Sequence, residues 1–294
     1  GFYRTPKHPR MKTCTSISGG QSSAYIAKNY PSDYYVFALV CIEDKKCTPK
    51  DNKLVQMVSD RIGKQFIATA EDDIILHTLL DLEQFIGKKI DWVAGETFDQ
   101  VIKTGGGVLP SPIRRYCTTS MKIQPLFEWW QQKINEPVKM QIGFRAGEER
   151  RVNNHLDKCN KEGLLEHKHI IGKHPNGNNK WTTTAWQIPT FPMVENRVYR
   201  DEVVEFWKDK PVRFAPRNNC VGCFHRNPLL LRTMFDEFPN KMEWFASKEK
   251  NRKYKNDIFK PQTGMTYEQI SKHKLQHSLN FDDFEDCDSG HCGL

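Results

Sequence analysis

The sequence predicts an α/β protein built on a doubly wound, mostly parallel sheet, with a helical, cysteine-rich, metal-binding region on its C-terminal side. Three observations lead there. Residues 34–42 (YYVFALVCI) are rich in β-branched and aromatic residues without strict alternation, the pattern of a strand covered on both faces. Strand-like and helix-like stretches alternate from residue 12 to residue 85, which calls for crossover connections and parallel pairing. The first strand runs into Ser18-Gly19-Gly20, where two glycines let the backbone turn sharply and approach a ligand.

Taken in order, residues 12–16 form the first strand, and 22–29 a helix with Ala24, Ile26 and Ala27 available to pack. The second strand, 34–42, ends at Glu43 and Asp44, the position where open α/β sheets bind ligands. Residues 54–62 are a helix, 65–68 a third strand and 74–85 a helix again. Residues 98–103 lead into a flexible glycine loop at 104–107. The stretch 123–134 has helical length, with Leu126, Phe127, Trp130 and Ile134 at near-helical spacing. Residues 140–144 are a fourth strand.

Beyond it, 153–184 is polar and rich in His, Lys, Asn and Gly, which predicts a solvated insertion outside the core. His155, Cys159, His167, His169 and His174 lie in it without a closed four-ligand spacing for zinc. An apolar run resumes at 190–194. Helices follow at 201–208, 228–238 and 266–277, with a basic stretch at 248–255 between the last two. The chain thus divides into an α/β core over 11–152, the insertion over 153–184 and a helical, metal-binding region over 185–294.

With 294 residues the chain can bury one sizeable core, or a core with an appended subdomain. Its 38% hydrophobic and 27% charged content suits a soluble globular protein. No apolar run approaches the roughly 20 residues that span a bilayer. The basic start, 1–10, has no apolar signal-peptide core behind it. A cytoplasmic protein without a membrane partner is expected. A net charge of +8 favours an anionic partner such as nucleotide, sulfate or nucleic acid. Nine cysteines, an odd number without a secretory signal, favour metal ligation or redox chemistry over disulfides.

Two motifs carry chemistry. In Ser18-Gly19-Gly20-Gln21-Ser22-Ser23 the glycines bring backbone amides close, and Ser22 and Ser23 set hydroxyls beside the N–H groups of a helix start, where phosphate is stabilised. It is not a Walker loop, since no Gly-Lys-Ser/Thr follows at the required spacing. In Cys220-x2-Cys223 the two-residue gap lets a tight turn aim both sulfurs at one metal. Cys117, Cys287 and Cys292 are the candidates to complete the site. Four thiolates can hold a [4Fe–4S] cluster or a structural zinc. Cys14, Cys41, Cys47 and Cys159 read as free structural thiols.

Residues 18–23 resemble the pyrophosphate loop (PP-loop) of adenine-nucleotide α-hydrolases and phosphoadenylylsulfate (PAPS) reductases, whose usual form is Ser-Gly-Gly-x-Asp-Ser; Ser22 stands at the Asp position. Arg115-Tyr116-Cys117-Thr118-Thr119-Ser120-Met121-Lys122 is similar to their Arg-x-Cys-Thr-x-x-x-Lys segment, and Gly143-Phe144-Arg145-Ala146-Gly147-Glu148 to their Gly-Ile-Arg-x-x-Glu segment. Asn219-Cys220-Val221-Gly222-Cys223 and the cysteine-containing tail resemble the cluster-binding part of the same broad family. The tail Asp288-Ser289-Gly290-His291-Cys292-Gly293 differs from the Glu-Cys-Gly-x-His of PAPS reductases proper. Cys117 stands alone where adenylylsulfate reductases carry a Cys-Cys pair. Nearer in pattern are phage-encoded PAPS-reductase-like proteins and the DNA phosphorothioation sulfurtransferases.

The resemblance implies a Rossmann-like PP-loop domain binding ATP or a related adenine nucleotide, a cluster, and sulfur transfer or reduction through adenylation of an acceptor. It implies nucleotide contacts from Ser16, Ser18, Gly19, Gly20, Gln21, Ser22 and Ser23, beside which Glu43 or Asp44 could hold a Mg²⁺ ion. Lys122, Arg115 and Arg145 would act as catalytic clamps on anionic oxygens. Cys117, Cys220, Cys223 and Cys292, with Cys287 as the alternative, would hold the metal. The implied partners are a tRNA or DNA acceptor and a sulfur-donor protein. The competing readings are a zinc-stabilised module that binds nucleotide or nucleic acid without turnover, and a PAPS reductase proper.

Overall fold

Strand β1 (Thr13–Ile17) is the axis from which the sheet is laid out, and it turns at Ser18-Gly19-Gly20 into helix α1 (Gln21–Asn29). The computed structural model describes residues 10–274. Cys287, Cys292 and the end of the helix expected at 266–277 lie outside the described residues. After α1 come β2 (Tyr34–Ala38), β3 (Cys41–Ile42), α2 (Asn52–Ile62), β4 (Ala68–Thr69) and α3 (Ile74–Ile86). The chain continues through β5 (Asp91–Val93), α4 (Phe98–Thr104) and α5 (Tyr116–Thr118). A π-helical turn (Thr119–Ile123) then joins α5 to α6 (Gln124–Lys133), which β6 (Val138–Gln141) and α7 (Glu149–Leu156) follow. A long hairpin comes next, β7 (Leu165–Lys173) and β8 (Asn179–Thr190). The rest is helical: α8 (Pro192–Glu195), α9 (Arg200–Trp207), α10 (Pro228–Glu237), α11 (Pro239–Lys250) and α12 (Tyr267–Ser271).

The main sheet has the order β5-β2-β1-β6-β8-β7, parallel throughout except for β7, which runs antiparallel to β8. The expected mostly parallel α/β sheet is therefore present. The chain leaves β1 toward β2 and β5 on one side, then crosses to β6 on the other. This reversal opens a crevice at the carboxyl ends of β1 and β6. Among the described residues, no helix is long and apolar enough to cross a membrane.

Four expectations need correction. The run 34–42 is not one strand: it leaves the main sheet after Ala38, and Cys41–Ile42 pairs antiparallel with Ala68–Thr69. Over Tyr34–Ala38 the strand is covered on both faces as expected, Tyr35 and Phe37 entering one core and Val36 and Ala38 another, whereas Val40 and Ile42, both 1% exposed, are apolar because they are buried in a further core. The third strand expected at 65–68 accordingly belongs to this small second sheet. The segment 153–184 is a solvated excursion only in part: 170–181 is exposed and lies beyond the β6 partner of β8, but the base of the β7–β8 hairpin joins the main sheet and packs on the core. His167 and His169 are buried there against Phe127, each ring 4.7 Å from it. Finally, the basic stretch 248–255 begins inside α11, whose Met242, Trp244 and Phe245 are buried.

Two cores flank the site. One packs α1 and α3 with Met193, Val203 and Trp207 from the C-terminal half. The other joins Val40, Ala70, Phe98 and Met121 to Val221, Phe224, Phe245 and Phe259. The C-terminal helices are thus part of the structure around 40–121 and not a separate lobe.

Burial holds the His155 and His167 imidazoles neutral, each down to about 4; Lys158 and Arg151 add to this at His155, and His169 at His167. Unfolded histidines take up a proton near the ordinary 6.5, so the unfolded chain binds more protons between those values. Stability is full above pH 6.5 and is lost as the pH falls toward about 4. Urea unfolding should show a loss on the order of 2 kcal/mol per histidine by about pH 5. Replacing both by Gln should flatten that slope.

Candidate functional site

At the carboxyl end of β1, the Ser18 amide donates to Ser23 Oγ at 3.1 Å, and the two hydroxyl oxygens are 3.1 Å apart. Ser23 Oγ donates to the Gly20 carbonyl at 3.2 Å. These bonds close the turn on itself. Gly19 has φ +83°, a left-handed conformation open to glycine, and a Cβ there would meet Ile75 of α3 at 2.5 Å. Helix α1 begins with no side-chain cap and no acidic residue in its first turn. Its first amides are therefore available to an anion. Ser16 lies in β1 opposite Val36, Ser22 is half-buried in the first turn of α1, and the Gln21 carbonyl accepts from Trp207 Nε1 at 3.0 Å.

The loop after β6 reaches the same place. A Cβ on Gly143 would lie 3.2 Å from the Ser23 amide nitrogen, so the two loops meet across the crevice. Arg145, in that second loop, is folded onto Glu148, with Nε 3.1 Å from Oε2. Glu43 and Asp44 serve helix starts: Glu43 Oε1 accepts from Thr97 Oγ1 at 2.8 Å, and Asp44 Oδ1 from the Lys46 amide at 2.9 Å.

The cysteine turn lies against the glycine loop. A Cβ on Gly20 would come within 2.3 Å of Asn218 Nδ2, two residues before Cys220. The Val221 amide donates to the Ala70 carbonyl at 2.8 Å, and Cys220 forms an antiparallel bridge with Glu71. Arg226, 2% exposed, fills the inside of the turn. Its guanidinium donates to the carbonyls of Asn218 at 2.7 Å, Val221 at 3.0 Å and Cys220 at 3.1 Å. From the opposite side, Tyr267 donates its hydroxyl to the Gly222 carbonyl at 2.9 Å.

Cys117, Cys220 and Cys223 line one cavity of about 60 Å³, together with Arg115 and Lys122. The rings of Phe98, Phe245 and Phe259 form its apolar wall. Cys117 and Lys122 are five residues apart on the segment that includes the π-helical turn, whose wider winding suits that spacing. Burial pushes the Cys117 thiol up to about 11, with Cys223 adding to it. Burial also pushes Cys220 well up, helped by the Glu71 charge. Among the described residues, no group of three or more His, Cys, Asp or Glu side chains is arranged to hold a metal ion. The three thiols share the cavity without forming such a group.

Four residues of the site, Glu71, Lys241, Asn218 and Arg226, had no role in the sequence reading. Glu71 is 1% exposed, with Oε1 3.1 Å from Lys122 Nζ, while Oε2 has no hydrogen-bond partner among the described residues. Lys241, on α11, donates to the Glu71 carbonyl and pairs with Asp73 at 2.8 Å. The signal for Glu71 was the acidic Glu71-Asp72-Asp73 directly after a strand. Asn218 and Arg226 carry no local signal beyond their closeness to the cysteine pair.

Replacing Arg226 with Met should remove the charge-assisted donor from the carbonyls of Asn218, Cys220 and Val221, of which the Val221 carbonyl is buried. A loss on the order of 2–4 kcal/mol in urea unfolding is expected, because charge-assisted hydrogen bonds are lost and a buried acceptor is stranded. Thiol labelling of the folded variant should quicken at Cys220 and Cys223. The chain matches no known family model, and no curated protein or solved structure is significantly similar to it.

Proposed function

We propose that this chain is an adenine-nucleotide-using enzyme of the PP-loop kind that carries a thiolate-held iron–sulfur centre and acts in sulfur transfer or reduction. The observation that carries this reading is the contact of Asn218 with Gly20. It joins an anion-ready helix start to a cavity lined by three cysteines.

The residue type, and not the present arrangement, supports such a centre: Cys117, Cys220 and Cys223 are thiols on one cavity but would have to draw together to bind it. Three thiols share a cavity backed by aromatic rings, and its volume is several times the about 10–15 Å³ that one water needs. Cys117, Cys220 and Cys223 would be its ligands. When bound, the centre would supply electrons or an open iron for sulfide. The chain's own residues would do the rest. The amides of Gly19, Gly20 and the α1 start would hold the β- and γ-phosphates, with the Ser18 and Ser23 hydroxyls as further donors. That leaves the α-phosphorus open to an acceptor oxygen, with pyrophosphate leaving and a sulfur nucleophile then displacing AMP. Lys122 and Arg115 line the cavity as cations for developing negative charge, and Glu71 fixes the Lys122 ammonium. Arg145 would reach an anion only by leaving Glu148. Mg²⁺ would arrive with the nucleotide.

A second reading is a zinc-stabilised binding module without turnover. The way Arg226 and Tyr267 tie down the cysteine turn favours it, since structural zinc sites sit on such fixed turns.

Protein purified without oxygen should contain iron and acid-labile sulfide; zinc without iron would select the second reading. Cys220→Ser should remove more than half of the metal, and full occupancy in that variant would overturn the thiolate assignment. Gly20→Val should weaken ATP binding at least about tenfold by calorimetry, because the added side chain blocks backbone approach to the phosphates. An unchanged affinity in a folded variant would overturn the loop assignment.

A further inference from the structure

The β7–β8 hairpin reaches well past the sheet that it completes. β6 pairs only with Gln187–Thr190 of β8, from Val138↔Gln187 to Gln141↔Thr190. Residues 179–186 therefore extend beyond their β6 partner, a reach of roughly 26 Å at about 3.3 Å per residue. The extension leaves the sheet at the end opposite the crevice, because β8 runs parallel to β6.

The two faces of this arm differ. His167 and His169 turn inward onto Phe127. On the other face Ile170 pairs with Trp181, Lys168 with Thr183 and Lys173 with Asn179. Trp181 is 52% exposed and Ile170 47%. Lys168 Nζ stands 5.4 Å from the Trp181 ring centroid. Lys168, Lys173 and Lys180 lie on the arm, and no acidic residue occurs between His167 and Val194.

A flat aromatic flanked by cations, on an exposed two-stranded ribbon, matches the chemistry of unpaired bases on a phosphate chain. A second copy of the arm would bring lysines against lysines, a repulsion that a polyanion replaces with attraction. The basic stretch 248–255 is less suited to this, since Lys248 pairs with Asp99 and Arg252 donates to the carbonyls of Glu249 and Lys255. We propose that the β7–β8 arm binds single-stranded nucleic acid, with its lysines on phosphates and Trp181 stacked on a base.

The test uses the full chain with labelled oligo-dT and oligo-U of about 15 nucleotides and a duplex of equal length. Single strands should bind more tightly than the duplex at about 50 mM salt, with affinity falling steeply toward about 200 mM. Replacing Lys168, Lys173 and Lys180 together by Gln should reduce the slope of log affinity against log salt by about 2. Trp181→Ala should weaken binding about tenfold or more at an unchanged slope. All four side chains are exposed, so unfolding midpoints should match wild type. Absent binding at low salt, or equal affinity in both variants, would overturn the proposal. So would equal binding of the duplex, or a changed oligomeric state in Trp181→Ala with oligonucleotide affinity intact, which would make the arm a contact between copies. The arm lies apart from the crevice. ATP binding should therefore survive both arm variants, and oligonucleotide binding should survive Gly20→Val, so each reading can fail alone.

Discussion

The hydrogen bond from the Val221 amide to the Ala70 carbonyl, 2.8 Å long, is the junction on which the site depends. Ala70 in turn donates to Val40 at 3.1 Å, and Val40 continues the chain of β2 out of the central sheet. A short backbone ladder therefore carries the order of the main sheet to the cysteine turn. Val40, Ala70 and Val221 are each at most 2% exposed, so an opened rung would strand groups away from water. One such bond contributes only about 1 kcal/mol net, but a stranded buried group costs about 1–3 kcal/mol. That asymmetry makes the ladder selective for a single register. Register matters here, because it is what sets Cys220 opposite Glu71.

Glu71 shows why the neighbouring charges are arranged as they are. A carboxylate at 1% exposure is costly unless paired, and it has Lys122 at 3.1 Å. Such a pair gains little stability over an apolar one, since desolvation offsets the Coulomb attraction. What it fixes is direction. Lys122 comes from near the end of the π-helical turn and Glu71 from two residues after β4, so the pair ties a cavity-lining segment to the strand end that bridges Cys220. Lys241 restrains the same segment from α11 through the Glu71 carbonyl and Asp73. The C-terminal helices thereby act on the geometry of the crevice even though they contribute no strand to the sheet.

What the sequence made legible is what local chemistry decides. The turn at Ser18-Gly19-Gly20 follows from glycines and hydroxyls lying between a strand and a helix, and β1, α1, α2 and α3 follow from periodicity. What stayed hidden depends on distant partners. The histidines of β7 read as solvated until Phe127, some forty residues earlier in the chain, is brought beneath them. The apolar run 34–42 looks the same whether helices or a second core cover its end. In α11 the lysines mask Trp244 and Phe245, which pack on Phe98 with centroids 5.2 and 5.8 Å away. Asn218, Glu71 and Arg226 owe their roles to contacts across the chain that no spacing rule encodes. Cys117 lines the same cavity as Cys220 and Cys223, a proximity that the motifs suggested although neither encodes the path of the chain between them.

The charges at the cavity constrain how it can work. Cys117 and Cys220 are buried thiols that resist ionisation, and Glu71 already places one negative charge beside Cys220. Ionising Cys117, Cys220 and Cys223 together would add three negative charges to that of Glu71, against Lys122, Arg115 and the Lys260 that faces Cys223. In a desolvated pocket that excess is unfavourable, so Cys117 and Cys220 stay protonated on their own. A metal centre changes the balance, because its own charge is the largest in any site that it enters. It would drive the protons off as it binds and leave Lys122 and Arg115 to offset the remainder. In the proposed reading, the same burial that makes the thiols inert alone makes them strong ligands once a cation arrives. Lys122, held by Glu71, then lies where the residual negative charge of a thiolate-held centre needs a counter-ion.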